Sequence, residues 1–514
     1  MESWLSVTGW LLLLIILLVT LWFWTATRVY KVFDKMGLKG PKPKMLIGNM
    51  DVVMKKGFLE SYKDWEAEYG EVYGMFRSRT PALVITDLDL VRDVMVKKFQ
   101  SFPNRQKSLV ADYKPWNEML IFLRDDHWKH VRDKLSPAFS SGKLKKMIPV
   151  IQRCCSNLVS HVTKLAERGE EVDAKTLSGA FTMDVIAGTG FGLEVNSLLD
   201  PDDPFVKVTN RILYPPSWMF TILFMMPFLT PVLRRVGIAI APQDAVNRVM
   251  NIVTTALKDR RREGTSYNDM LQLLVDLEKG DTHTQVDPEL DHSNALQRST
   301  SWAQRGLTDG EIQSNSFAFL LAGYETTAAA LSFLLFNLAG NPECLERAQR
   351  EIDEKFGKRE VDYDVMTQLP YLDMCLNESL RLYPPGFLLD RECREATRLG
   401  EVHVPKDFLV AIPVYSIHTN PAHWPDPMTF DPDRHTAEAR AKRHPFSFMP
   451  FGMGPRNCIG MRKAQMETKM AVVAILQKLT PELCSKSVYP PRISKHFRLG
   501  AEDGLWLQFK PRHT

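Results

Sequence analysis

The chain of 514 residues is long enough to bury a large core, and its 45% hydrophobic and 25% charged residues are ordinary for a folded protein. The formal net charge is only +4, which gives no indication of a nucleic-acid partner. The seven cysteines are an odd number and no two form a CxxC pair, so neither a disulfide framework nor a zinc ribbon is expected.

The N-terminus, residues 1–27, is predicted to be a membrane anchor. Residues 3–27 carry no charged side chain, and about 20 apolar residues are enough to cross the hydrocarbon core of a bilayer. A cleaved signal peptide remains the alternative, because small residues follow the apolar run, although no basic residue precedes it. Residues 28–44 are basic and contain several Pro and Gly residues, which predicts a hinge on the cytosolic side of the membrane.

Residues 45–514 are predicted to form one domain, mainly α-helical with small β-sheets. The segment 71–87 predicts a β-hairpin, because two short runs rich in β-branched and aromatic residues flank a polar turn. The segment 310–340 is almost wholly apolar in its middle, which predicts a buried central helix. The segment 402–418 predicts a second small sheet.

Two further segments have unusual composition. Residues 213–233 are apolar but contain four prolines, so they predict either a lip that dips into the bilayer surface or a plain buried segment. Residues 278–305 are polar and lack periodicity, which predicts a flexible surface connection.

A cysteine-containing loop is the strongest motif of the sequence. Phe451, Gly454, Arg456, Cys458 and Gly460 give the pattern F-x-x-G-x-R-x-C-x-G just ahead of a helical stretch. A cysteine at a helix N-terminus is favoured as a thiolate, and thiolates bind soft metals. Glycines in such a loop let the backbone turn tightly and approach a bulky group. The loop therefore predicts a metal-containing cofactor.

This motif resembles the haem-binding signature of the cytochrome P-450 superfamily. The resemblance implies the cytochrome P-450 fold and a bound haem b, with Cys458 as the axial ligand of the iron. It also implies that Arg456 binds a haem propionate, that Phe451 shields the sulfur, and that glycines such as Gly460 keep side chains away from the porphyrin. Thiolate ligation pushes electron density onto the iron and favours O–O cleavage.

Two other motifs of the resembling family occur at the expected places. Glu378 and Arg381 match its E-x-x-R pair, and "FDPDRH" at 430–435 matches a third element that contains Arg434. The resemblance implies that these three residues form a buried network that supports the cysteine loop, because a buried charge survives only when it is paired. Two departures from the family pattern, Asp433 and His435, leave the local packing open.

Four further residues match positions that bind the haem propionates in the resembling family. Trp128 and Arg132 lie four residues apart in "WKHVR", and Arg105 and Arg391 belong to shorter motifs. An ordinary exposed arginine is the alternative for Arg105 and Arg391.

The central helix carries "AGYETT", which matches the oxygen-activating motif of the family. Gly323 costs a helix interior about 1 kcal/mol against Ala, and close approach of the helix to haem would offset that cost. The resemblance implies that Glu325 and Thr326 deliver protons, with the Thr326 hydroxyl turned away from the carbonyl four residues earlier. Position in the chain also predicts a substrate pocket lined by Phe317, Ala322, Gly386, Phe387 and Leu388.

The resemblance covers essentially the whole chain from residue 40. Stretches such as "YLDMCLNESLRLYPP" are most similar to the drug- and steroid-oxidising family 3 enzymes, whereas "TAEARAKRHPFSFMPFG" is similar to thromboxane-A synthase. The first resemblance implies a monooxygenase that oxidises lipophilic substrates with O₂ and electrons from NADPH. The second implies an isomerase that rearranges a prostaglandin endoperoxide without O₂ or NADPH. Glu325 and Thr326 favour the monooxygenase, and a non-catalytic haem-binding protein is a third alternative.

A monooxygenase of this kind implies partners and a location. Its electrons would come from NADPH-cytochrome P450 reductase, with cytochrome b5 as a second donor, and no nucleic acid is expected. The anchor would hold the protein in the endoplasmic reticulum membrane, in contact with lipid, with the catalytic domain in the cytosol. An acidic electron donor would find docking points in a group of basic side chains. These are Lys129, Lys134, Lys143, Lys145 and Lys146.

Overall fold

The computed structural model describes residues 2–107, 113–200, 202–213, 235, 241–263, 269–278, 305–495 and 499–512. Its seventeen described α-helices make the protein mainly helical, as predicted. They are α1 Glu2–Arg28, α2 Val32–Met36, α3 Met50–Lys56, α4 Phe58–Tyr69, α5 Leu88–Arg92, α6 Asp125–Leu135, α7 Ser141–Glu167, α8 Ala174–Phe191, α9 Pro204–Leu213, α10 Gln243–Glu263, α11 Met270–Glu278, α12 Asp309–Gly340, α13 Pro342–Lys355, α14 Pro370–Leu382, α15 Val414–His418, α16 Ala437–Lys442 and α17 Met461–Leu476.

The described strands form three small sheets. They are β1 Val72–Arg77, β2 Thr80–Ile85, β3 Val172–Asp173, β4 Leu389–Glu392, β5 Thr397–Leu399, β6 Val402–Val404, β7 Leu409–Ile412, β8 Leu479–Leu483 and β9 Trp506–Pro511. The sheets have the orders β1-β2-β7-β4, β3-β9-β8 and β5-β6.

The predicted hairpin at 71–87 is confirmed as the antiparallel pair β1 and β2. The predicted second sheet is only partly right. Strand β6 pairs with β5, but β7 lies parallel to β2 and antiparallel to β4, so it belongs to the first sheet. The end of the segment is the short helix α15. A sequence of short apolar runs indicates strands but carries no information on which distant strand each one joins.

Helix α12 is the long central helix that the sequence predicts. It begins with a capping box, in which the Thr308 hydroxyl accepts from the Glu311 backbone and the Glu311 carboxylate accepts from the Thr308 amide. From Thr327 to Ala339 every residue is buried. The helix packs against α8, α10, α14 and α17. It therefore forms the centre of the core and carries side chains to the middle of the molecule.

Of the described residues, only α12 forms a helix with the length and composition to cross a membrane, and most of it is buried in the protein. Near the N-terminus the described residues of α1 include the apolar stretch Gly9–Leu18. Its side chains from Trp10 to Leu18 are exposed.

The segment predicted as a hinge at 28–44 is structured in its first part. A 3₁₀ turn, Val29–Lys31, and α2 follow α1 directly, and the helix ends at Gly37 in the left-handed conformation. Phe33 is buried against β1, where its ring occupies the space that a side chain at Gly74 would need. The Pro- and Gly-rich part thus starts at Gly37, and the segment before it is packed on the domain.

The predicted lip or buried segment at 213–233 and the predicted surface connection at 278–305 lie, except for their terminal residues, outside the described residues.

Candidate functional site

The cysteine loop is a compact turn that ends at the N-terminus of α17. The Cys458 amide donates to the Phe451 carbonyl at 2.8 Å, and Gly454 has a φ of +71°, which favours glycine. A Cβ atom at Gly454 would lie 2.1 Å from the Met95 carbonyl oxygen. Gly454 is therefore required by its own backbone conformation and by the neighbouring Met95 backbone, independently of the predicted porphyrin. A Cβ atom at Gly460 would meet only Phe139, at an ordinary 3.7 Å.

The Cys458 thiol is accessible but poorly solvated. The residue is exposed, yet burial raises the pKa of its thiol. A side chain is both accessible and poorly solvated when protein encloses the space in front of it. The Gly460 amide donates to the sulfur, and with Arg132 and Arg105 it lowers the pKa without outweighing burial. The protein alone therefore does not stabilise the expected thiolate, which a coordinating metal ion would do by displacing the proton.

Four arginines predicted to bind propionates come together beside this loop. We call Arg105, Arg132, Arg391 and Arg456 the arginine group. Arg132 Nη2 donates to Asn457 Oδ1 at 2.8 Å, next to the cysteine.

Arg456 donates from Nη2 to the Leu123 carbonyl at 2.9 Å and from Nε to the Pro103 carbonyl. Its guanidinium carbon lies 4.2 Å from the centre of the Trp128 ring. The predicted residue Trp128 therefore belongs to the same site.

No member of the arginine group forms an ion pair with a carboxylate in the described part of the chain, although more distant aspartates partly offset the charge of the group. Burial first, and then Arg105, lower the pKa of Arg391 to about 9. Burial followed by Arg391 and Arg105 lowers the pKa of Arg456. Burial likewise lowers the pKa of Arg132, to about 10. Buried like charges are costly unless an anion is bound, so the group fits a ligand with carboxylates.

One atom points to the same conclusion. Arg391 is 1% exposed, and its Nε is buried without a hydrogen-bond partner. Only its Nη1 has a described partner, the carbonyl of Asp390 at 2.7 Å. Because a buried guanidinium normally uses its donors, the free Nε is available to a ligand oxygen.

A second buried arginine lies on the other side of the loop and is fully paired. Arg381 donates from Nε and Nη2 to the two carboxylate oxygens of Glu378 at 2.8 and 2.7 Å, and both side chains are completely buried. His435 Nε2 lies 3.0 Å from Glu378 Oε2. Burial raises the pKa of Glu378, but the bonds from Arg381 and His435 outweigh it and hold the pKa at about 2. We call Glu378, Arg381, His435 and His418 the brace.

His418 connects the brace to the cysteine loop. The Met449 amide donates to His418 Nε2 at 2.9 Å, so Nδ1 carries the proton and donates to the Arg381 carbonyl at 3.2 Å. Burial, followed by the charge of Arg381, lowers the pKa of His418 to about 3. The imidazole is thus neutral and forms a fixed link between α14 and the start of the loop.

Arg434 forms an ion pair with the Glu378 carboxylate, as the sequence predicts, although it is less buried than Arg381. Its Nε lies 3.5 Å from Glu378 Oε1 but makes no hydrogen bond, and the side chain is 13% exposed. Its described hydrogen bond goes from Nη2 to the Asp426 carbonyl. His435, which the sequence presents only as a departure from the family pattern, makes the closer contact with Glu378. The local sequence does not indicate that this histidine is buried, because its partner Glu378 lies 57 residues away in the chain.

Helix α12 has exposed residues at two positions one turn apart in its middle. After its first residue, Asp309, the fully described helix is exposed only at Ala322 and Thr326, although the residues around them are buried or half-buried. The Thr326 hydroxyl donates to the Ala322 carbonyl at 2.7 Å, which corrects the expectation that it turns away from this oxygen. A Cβ atom at Gly323 would lie 3.1 Å from Ile186 on α8, so helix packing accounts for this glycine.

Glu325 lies on a different side of the helix from Thr326. Its Oε1 accepts from Lys175 Nζ at 2.8 Å, and the two side chains are 19% and 24% exposed. Lys175 is in the first turn of α8. Sequence analysis did not identify this lysine, because 150 residues separate it from its partner.

The five predicted pocket residues fall into two classes. Ala322 and Gly386 are exposed and Leu388 is half-buried, so these three have accessible surface. A Cβ atom at Gly386 would lie 4.0 Å from the Pro450 carbonyl oxygen, which places the segment beside the cysteine loop.

Phe317 and Phe387 do not fit the predicted pocket. Phe317 is completely buried and packs edge-on against Trp116 at 5.5 Å. Phe387 is 8% exposed and packs near Phe58. Large aromatic rings in a helical core are more often buried than exposed to a cavity, and position in the chain does not distinguish the two.

Comparisons with known proteins agree with this geometry. Residues 38–504 match the family model described as Cytochrome P450. The chain is 36% identical to Cytochrome P450 3A41 of Mus musculus over 515 residues, which covers 99% of this chain and 97% of the relative. It is 35% identical to Cytochrome P450 3A5 of Homo sapiens over 515 residues, with the same coverage of both chains. The protein therefore belongs to the cytochrome P450 family, the haem b monooxygenases.

Proposed function

We propose that Cys458 binds the haem iron, that the arginine group binds the propionates, and that Trp128 packs beside them. The observation that carries this proposal is the buried Nε of Arg391, which has no described partner, in a group of arginines that form no ion pair with a described carboxylate. The two carboxylates of haem b are chemically suited to such a group. A haem with thiolate ligation supplies the activation of O₂ when it is bound.

We further propose that one oxygen atom of O₂ is inserted into lipophilic substrates such as steroids, fatty acids, eicosanoids and xenobiotics. The accessible surface at Ala322, Gly386 and Leu388 is apolar or lacks a side chain, which suits a lipophilic molecule. Glu325 and Thr326 hold and move the protons that this reaction consumes. Lys175 holds the Glu325 carboxylate, and the Thr326 hydroxyl must leave the Ala322 carbonyl before it can donate elsewhere.

The electrons are proposed to come from NADPH through NADPH-cytochrome P450 reductase, with cytochrome b5 as a second donor. Lys145 and Lys146, near the N-terminus of α7, are exposed and offer positive charge to an acidic partner. Lys129 does not, because it is only 9% exposed. Lys134 and Lys143 are half-buried.

We also propose that residues 1–27 anchor the protein in the endoplasmic reticulum membrane with the catalytic domain in the cytosol. The charge-free run at 3–27 and the basic residues after it support this orientation. Extraction of microsomes with sodium carbonate tests the anchor: the full chain should stay with the membrane and a chain without residues 1–27 should be released more readily. Release of the full chain would contradict the anchor.

Reconstitution tests the reaction. The purified protein, with reductase and phospholipid, should oxidise testosterone only when NADPH and O₂ are both present. The matched assay gives it prostaglandin H₂ without NADPH or reductase. Thromboxane formation there, without oxidation of the steroid, would replace the monooxygenase proposal by the isomerase. Absence of any product with a panel of steroids, fatty acids and drugs would contradict the proposed substrate class.

A further inference from the structure

Asn104 lies where several chain segments that carry the arginine group meet. The residue is 1% exposed. Its Oδ1 accepts from Arg456 Nη2 at 3.3 Å and from the Asp125 amide at 2.9 Å, and its Nδ2 donates to Asp125 Oδ1 at 2.9 Å. The carboxamide has one orientation that satisfies these contacts, because a flipped amide would turn its NH₂ group toward two donors.

The backbone of the same residue extends this contact to strand β4. The Asn104 carbonyl accepts from the Glu392 amide at 2.8 Å. The Glu392 carboxylate pairs with Arg124, whose Nη1 also donates to the Arg105 carbonyl at 3.2 Å. Because Arg105 and Arg391 are the chain neighbours of Asn104 and Glu392, these bonds fix the backbone positions of two members of the arginine group.

Asn104 also holds the start of α6. Asp125 is the first residue of this helix and has a φ of +48°, in the left-handed region that favours glycine. A strained backbone of this kind persists where several contacts fix it, and Asn104 binds Asp125 at both its amide and its carboxylate. Trp128 and Arg132 follow in the next two turns of α6, so their positions depend on this start.

We propose that Asn104 is a positioning residue that sets the spacing of the arginine group for the two propionates of haem. The inference rests on the proposed function for the identity of the ligand. It adds that one buried amide joins all four arginines: two through their chain neighbours, one through α6, and one by a direct hydrogen bond. Because Asn104 is uncharged, its replacement by another uncharged residue changes the geometry of the group and leaves its net charge the same.

Haem dimethyl ester, in which both propionates are esterified, separates this role from a general effect on stability. The full-length protein is loaded with haem b or with the ester, and the rate of transfer to excess apomyoglobin is measured. The ratio of the ester rate to the haem b rate reports what the propionates contribute, and it should be well above one in the wild type. In Asn104→Leu we expect about tenfold faster loss of haem b and little change for the ester, so the ratio should fall about tenfold.

Asn49→Leu is the matched control. Asn49 is also 1% exposed, and its side chain also makes three hydrogen bonds. Its Nδ2 donates to the carbonyls of Pro41 and Lys42, and its Oδ1 accepts from the Phe76 amide. None of these bonds reaches the arginine group. The control variant should therefore unfold at a lower denaturant concentration than the wild type and keep the wild-type ratio of the two transfer rates.

The outcomes distinguish the role of Asn104 from the proposed propionate site. Equal acceleration for both haems in Asn104→Leu would mean that Asn104 only stabilises the fold, and would overturn the inference. A wild-type ratio near one would instead contradict the propionate site itself. If Asn104→Leu does not retain haem, Asn104→Ser is measured in the same way. Its shorter hydroxyl replaces only part of the contacts, so its ratio should lie below that of the wild type, and a wild-type ratio would overturn the inference.

Discussion

The brace and the arginine group both bury arginines, yet the protein treats the charges of these arginines in opposite ways. Arg381 is 0% exposed and binds both oxygens of a protein carboxylate. Arg391 is 1% exposed and has a free Nε, with another arginine as an electrostatic neighbour. The comparison shows how a buried arginine that stabilises the fold differs from one that binds a ligand. A protein carboxylate neutralises the first, whereas the second keeps a hydrogen-bond donor for the ligand.

The largest effect is expected from a change in the cysteine loop itself, which lies next to both the brace and the arginine group. Cys458→Ser should abolish the red-shifted absorption band of the reduced, carbon-monoxide-treated protein, because that band requires a thiolate on the iron. Cys484→Ser is the control, since this half-buried cysteine is not in the loop, and it should keep the band. An identical spectrum for Cys458→Ser and the wild type would show that another residue binds the iron.

Breaking the brace should destabilise the protein itself. Arg381→Met leaves the buried Glu378 carboxylate with His435 and the more distant Arg434 as its remaining basic neighbours, and removal of one partner from a buried pair costs about 3–5 kcal/mol. Denaturant unfolding and the yield of soluble protein measure this loss. A variant with wild-type stability would mean that the brace contributes little.

The matched change in the arginine group should affect the ligand and not the fold. Arg391→Met removes an uncompensated buried charge, so the free energy of unfolding of the haem-free protein should not fall. Haem binding should weaken by about 1.5–3 kcal/mol, the usual contribution of a hydrogen bond to a charged group. Transfer of haem to excess apomyoglobin measures the rate of loss. Arg398→Met, at an exposed arginine, is the control and should lose haem at the wild-type rate.

How far the sequence predicts these two regions depends on the distance between partners. Glu378 and Arg381 are three residues apart on one helix, so their pairing is readable from the chain alone. His418 and His435 reach the same place from other segments, and their role was not predicted. The arginine group was identified through family resemblance. Only the folded structure shows that none of its members forms an ion pair with a described carboxylate.

The brace should also make stability depend on pH. His418 has a folded-state pKa of about 3, below its usual 6.5, so the unfolded chain takes up a proton that the folded protein refuses. Its contribution is complete above about pH 6.5 and is lost as the pH falls toward 3, by at most ~1.4 kcal/mol per pH unit. His418→Gln should flatten this dependence in urea unfolding between about pH 6.5 and 4.5. An equally steep curve would assign the effect to other groups, such as His435.

The smallest effect is expected at the distal ion pair. Lys175→Met frees Glu325 from its cation and should lower the fraction of NADPH electrons recovered in product by about two- to fivefold, since a partly exposed pair contributes up to about 1 kcal/mol. The solvent isotope effect on product formation should change in parallel, whereas a loss of stability alone would not change it. Lys175→Arg should restore coupling, and the exposed Lys164→Met is the control. An unchanged fraction of NADPH electrons recovered in product would show that Lys175 does not contribute to proton transfer.

The aromatic side chain of Phe33 has a practical consequence for anyone who shortens the protein. The family match starts at residue 38, which makes that position an obvious place to begin a truncated version. Phe33 lies before it, with its ring 5.0 Å from that of Phe76 and 5.7 Å from that of Phe408, over the bare backbone of Gly74. A protein that begins at residue 38 would lack Phe33 and expose the apolar surface of the sheet, which favours aggregation. A protein that begins at residue 29 would lack α1 but keep this surface covered.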